Sequence, residues 1–193
     1  ARGTEDATRI VQLDLSARQE LLEIPLGTVL ENILGSAGCR VDEGLIQDGL
    51  ELFYTALKED RSLIPGTLEM LQRVREKGYV IGLISDVAWG LPSEFPLRDM
   101  KYYRLDHFFD DMIFSSDVGL RKPHPRLFKM ALFNLGADKD GSMYIGNSLQ
   151  ADVKGAKSVG LRAVLKKSGY YQPDDDIVPD EVVDGWEDLD ELL

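Results

Sequence analysis

The chain has 193 residues, 44% of them hydrophobic, and sets 22 basic against 34 acidic side chains for a formal charge of −12. That length holds one domain with a full core or a core domain with a smaller appendage, and the acidic balance argues against a nucleic-acid surface or an anionic membrane as partner. Cys39, the one cysteine, excludes an internal disulfide and a thiolate metal cluster; no apolar run reaches the roughly 18 residues of a spanning helix or follows a basic start, which fits a cytoplasmic protein.

From about Ser16 to Asp60 the apolar residues recur at helical spacing, with Leu26, Val29, Leu30, Ile33 and Leu34 on one face. Gly35 and Gly38 stop that helix. A second is predicted to start at Asp42, whose short carboxylate can cap free backbone amides, and to bury Leu45, Ile46, Leu50, Phe53 and Leu57.

From Pro65 onward, helices alternate with apolar runs, the pattern of a parallel sheet covered on both faces. The predicted strands are Val80 to Ser85, Met112 to Ser115, Met143 to Gly146 and Leu161 to Leu165, with helices near Thr67 to Lys77, Pro125 to Leu135 and Gln150 to Val159. A last short strand near Val182 precedes a helical turn with Leu189 and Leu192, and Asp174, Asp175 and Asp176 read as a solvated loop. The stretch between Ser85 and Arg104 reads as a long loop whose Trp89, Phe95, Tyr102 and Tyr103 either stack on a ligand or pack against the helices before Pro65. His124 reads as a helix-start residue and His107 as scaffold.

In an open parallel sheet, ligands bind at the carboxyl ends of the strands. After the first strand comes Ser85-Asp86, after the second "GLRKPHP" with Lys122, and after the third Gly146-Asn147-Ser148 with Asp152 in the next helix. A hydroxyl, an ammonium and an amide-plus-carboxylate are thus predicted on one edge. Singly each has a plain reading: Ser85 as a helix cap, Lys122 as a surface charge, Asp152 as a complement to its helix amino end.

In that order these segments resemble the haloacid dehalogenase-like hydrolase superfamily over roughly Ile64 to Leu165. "LIPGTLEMLQRVREKGYVIGLISD" is similar to the approach to the family's second motif, with Ser85 on its Ser/Thr. "LDHFFDDMIFSSDVGLRKPHPRLF" resembles the third, with Lys122 on the essential lysine, and "YIGNSLQADVKGAKSVGL" the fourth, with Asn147 where aspartate is usual and Asp152 on the later acidic position. The resemblance implies an α/β fold with a Rossmann-like parallel sheet: residues 1–63 as a small helical cap and 64–193 as the core domain without its first strand. It also implies hydrolysis of a small phosphorylated metabolite through a phosphoaspartyl intermediate. Ser85, the amides of Asp86 and Val87, and Lys122 would seat the phosphate, Asn147 would offer its amide oxygen to magnesium, and Asp152 would orient a metal-bound water or act as a ligand. Asn147 lowers the negative charge there and keeps metal-free dehalogenation as a rival, while Gly146 resembles the phosphatase version of the motif.

The family's first motif, an apolar strand ending in Asp-x-Asp, is not found. In "IVQLDLSA" Asp14 takes the nucleophile's place but Ser16 stands where the second aspartate belongs. Too short an interval separates Asp14 from Pro65 for strand, loop and complete cap, so the chain is expected to start inside the cap, the nucleophile lying upstream of Ala1. A catalytically silent binding protein on the same scaffold is the other account.

Overall fold

The computed structural model describes residues 20–58, 61–168, 174 and 176–193; Asp14 and Ser16 lie outside them. The chain divides into two compact units, Ala1–Ser62 with Asp86–Tyr103 and Phe114–Arg121, and Leu63–Ser85 with Arg104–Ile113 and Lys122–Leu193.

The first unit is helical. Helix α1 spans Leu26–Ser36 and α2 spans Glu43–Lys58. Asp42 Oδ1 accepts the Leu45 amide at 2.9 Å, the predicted cap. The buried side of α2 carries Ile46, Leu50 and Tyr54, with Phe53 and Leu57 packed beside them, while Leu45 is exposed. The 46–50–54 spacing turns position 45 outward. Beyond Ser85 the expected loop holds a helix, α4 (Glu94–Tyr102); α3 (Thr67–Glu76) belongs to the other unit. Pro96 is the third residue of α4, and proline is tolerated in a first turn whose amides lack helical partners. Phe95 is fully buried with Leu91 against α1 and α2, so this aromatic packs into the unit's own core, while Trp89 and Tyr102 are exposed. Gly90 has φ +69°, and a Cβ there would lie 2.0 Å from the Ile24 carbonyl oxygen, so only glycine fits.

The second unit holds the sheets. Strand β1 (Gly82–Ser85) pairs with β2 (Asp111–Phe114), and β3 (Met143–Gly146), β4 (Arg162–Lys166) and β5 (Glu181–Val183) form a second sheet in that order. The β3–β4 and β4–β5 pairings are parallel, with Gly146 opposite Leu165 and Leu165 opposite Val182. Ala163, Val164 and Leu165 are consecutive and all buried, as in a strand covered on both faces. The one-turn helix α5 (Ser115–Val118) follows β2, and α6 (Pro125–Asn134) opens with His124 Nδ1 accepting the Arg126 amide at 3.2 Å, the predicted helix start. The helix expected at Gln150 to Val159 divides into a π turn, Leu149–Val153, and a short α-helix, α7 (Lys154–Ser158). Met70, Leu71, Phe108 and Leu189 centre the core under α3. Among the described residues no helix is long and apolar enough to cross a membrane.

Candidate functional site

The turn after β3 is built around one carboxylate. Ser148 caps the π turn, its Oγ accepting the Ala151 amide at 3.1 Å, and its carbonyl accepts from both Asp152 and Val153 amides at 2.9 and 3.1 Å. The wider turn brings Asp152, only 2% exposed, back over the strand end. Asp152 Oδ2 there accepts the backbone amides of Asn147 at 3.0 Å and Ser148 at 2.9 Å. A Cβ at position 146 would lie 2.3 Å from Asp152 Cγ, so Gly146 is required by the carboxylate itself.

Asp152 Oδ1 faces Lys122, whose Nζ donates to it at 2.7 Å, and the Tyr144 hydroxyl stands 3.1 Å away. Lys122 Nζ also donates to the Ile84 carbonyl at 3.3 Å and to Tyr144 Oη at 3.3 Å. Tyr144 Oη reaches the same carbonyl at 3.4 Å, and with a single proton the phenol donates to either that carbonyl or Asp152 at one time. Burial pushes this phenol well above its ordinary range, so it stays a neutral donor.

The ends of β1 and β3 and the Lys122 segment are therefore tied together: Ile84, which precedes Ser85, supplies the carbonyl that Lys122 and Tyr144 share. Asn147 gives Asp152 its backbone amide and donates Nδ2 to Ser168 Oγ at 3.3 Å. The residues after Ser85 belong to the helical unit. There the Val87 amide donates to Ser115 Oγ at 2.9 Å in a buried bond, which commits a group expected to seat phosphate. That is a correction to the seat, leaving Ser85 and the Asp86 amide as its expected members. Sequence reading missed Tyr144, which sits inside an apolar run where its hydroxyl gives no periodic signal. It also missed a second buried carboxylate, Glu23, which takes Arg121 Nη1 at 2.8 Å and the Ser115 hydroxyl.

Magnesium takes oxygen ligands, commonly one or two carboxylates with substrate phosphate. Asn147 has an amide oxygen to offer, its nitrogen being fixed on Ser168. Each Asp152 oxygen already has two donors about it, so this side chain fits an outer role beside an ion and not direct ligation.

The haloacid dehalogenase-like hydrolase family model matches residues 7–166. The glyceraldehyde 3-phosphate phosphatase of Pyrococcus abyssi is 37% identical over 106 residues, 55% of this chain and 43% of that protein. The phosphoserine phosphatase of Thermus thermophilus is 32% identical over 118 residues, 61% of this chain and 46% of that protein. The chain spans about half the length of these relatives. A 2-haloacid dehalogenase structure from Pseudomonas syringae is similar in fold, with a TM-score of 0.74 at 20% identity over 99% of this chain and 79% of that one.

Proposed function

The chain belongs to the haloacid dehalogenase-like hydrolase family, and on that premise we propose that it serves hydrolysis of small phosphate monoesters. The observation that carries this reading is the Asp152 centre: one buried carboxylate holds Lys122 on one oxygen and the Asn147 and Ser148 amides on the other, beside the strand end that leads to Ser85. The identities of 37% and 32% are to proteins named as phosphatases, whereas the dehalogenase likeness at 20% bears on fold alone.

In this reading residues 1–63 form the cap and 64–193 the core domain. An aspartate carboxylate attacks phosphorus as the ester P–O bond breaks and the alcohol leaves, and water then attacks the phosphoaspartyl intermediate to release inorganic phosphate and restore the carboxylate. The charge gathers on the peripheral phosphoryl oxygens, so donors and cations must surround them. Ser85 donates its hydroxyl to one of these oxygens, with the Asp86 amide beside it. Lys122 offsets the charge of phosphate and nucleophile, held in place by Asp152 and the Ile84 carbonyl. Asn147 would hold magnesium through its amide oxygen, Asp152 standing behind; when bound, the ion would offset charge on the phosphoryl group. The nucleophile comes from outside the described residues. Among these, β1 pairs with β2 and β3 with β4.

The test is phosphate release from small monoesters by the natural full-length protein. Release that needs magnesium and disappears in Lys122→Ala is the expected result. Halide release from a 2-haloacid without metal would replace this reading with dehalogenation, which Asn147 favours. No turnover of either kind would leave a silent binding protein.

A further inference from the structure

We infer that Glu23 is a positioning residue which, through the Ser115 hydroxyl, holds the backbone two residues beyond Ser85. This rests on the reading of Ser85 and Asp86 as the phosphate seat.

The direction of the relay is fixed by chemistry. The Val87 N–H can only donate, so Ser115 Oγ is its acceptor at 2.9 Å. The hydroxyl's own proton then has to go elsewhere, and it goes to Glu23 Oε2. Glu23 Oε1 accepts from Arg121 Nη1 at 2.8 Å. The backbone reinforces the arrangement: the Glu23 amide donates to the Gly119 carbonyl at 3.0 Å and the Arg121 amide to the Leu21 carbonyl at 2.8 Å. Ser115 is 1% exposed and Glu23 9% exposed, so neither Glu23 nor Ser115 can exchange its partners for bulk water without opening. One carboxylate thereby holds the segment leaving Ser85 and the residue preceding Lys122, in chain terms the two approaches to the proposed seat.

The groups facing Glu23 are Arg121, Ser115 and, more weakly, the charge of Asp86. Burial pushes the Glu23 carboxyl above its ordinary value, outweighing Ser115 and Arg121, which pull it down. Any opening that hydrates the carboxyl returns it toward that ordinary value and releases a proton. Low pH therefore favours the closed relay, and its hold weakens as pH rises through the raised titration range.

The test is amide exchange at Val87 by NMR, expressed as a protection factor across pH, with inorganic phosphate binding measured by calorimetry on the same samples. Ser115→Ala and Glu23→Ala should each lower Val87 protection roughly five- to tenfold. Glu23→Gln, whose amide oxygen still accepts from Ser115, should keep the protection and lose the pH dependence seen in the unmodified chain. Unchanged Val87 protection in Ser115→Ala overturns the inference, and this variant serves if Glu23→Ala fails to fold. Phosphate that binds the unmodified chain and both alanine variants equally, with Val87 unmoved, also overturns it. If no sample binds phosphate while Val87 responds as stated, the relay stands and the phosphate seat is what fails.

Discussion

The two buried carboxylates among the described residues are satisfied in different ways. Asp152 has four donors about it: an ammonium, a phenol and two backbone amides. The amides come from residues four and five positions earlier in the same turn, so half of its shell forms as soon as the turn does. Glu23 has two side-chain donors, Ser115 and Arg121, which lie 92 and 98 residues away. Its shell exists only once distant segments have met, and its carboxyl is pushed up by burial. A local shell makes a rigid centre, and a long-range shell makes one that answers to pH and to any opening of the structure.

The sharpest way to break this contrast is Asp152→Ala. Removing the carboxylate takes from Lys122, whose side chain is 13% exposed, the acceptor at 2.7 Å, and leaves two amides without theirs. Breaking one side of a buried pair costs about 3–5 kcal/mol, read as a shift of the urea midpoint at unchanged slope. A cost under about 1 kcal/mol would mean that water reaches the centre and that its shell is not the rigid one described.

Next is Gly146→Ala. The added methyl falls 2.3 Å from Asp152 Cγ, and the carboxylate cannot swing aside without giving up its donors. Overpacking of this kind costs about 1–3 kcal/mol, and phosphate release should fall with it. Coupling is the decisive check: in Asp152→Ala the same glycine change should cost far less.

The same contrast explains what was legible in the sequence. Strand β3 was readable to both ends because an apolar run stops at Gly-Asn-Ser, and Lys122 and Asp152 were each expected at the same sheet edge because each sits in a segment of family-like pattern, whereas the ion pair between them was not read. Helix α4 was not, since Pro96 reads as a breaker when its place in the first turn is unknown. Tyr144 was hidden by its own apolarity. Glu23 stands near the start of a helical region, where an acid reads as surface charge, and no spacing rule connects it to Ser115.

Glu23→Gln changes a slope rather than a level. A folded-state value raised above the ordinary 4.5 means stability that is present below 4.5 and lost as pH rises through the raised value. Relative to the glutamine variant, the unmodified chain should therefore lose stability over that window, seen as diverging thermal midpoints. Parallel midpoints across the window would mean that the carboxyl is not buried in solution.

The smallest effect expected is for Tyr144→Phe, which removes one of the four donors from the rigid centre and keeps the ring against Phe128, their centroids 4.9 Å apart. Asp152 retains the ammonium and both amides, and the Ile84 carbonyl retains Lys122. The loss should be about 1 kcal/mol, the net worth of one hydrogen bond. Because three donors still fix the carboxylate, this variant should leave the Asn147 and Ser148 amides as protected from exchange as before. Loss of that protection would show that the phenol, and not the local turn, organises the centre, and the distinction between a local and a long-range shell would fall with it.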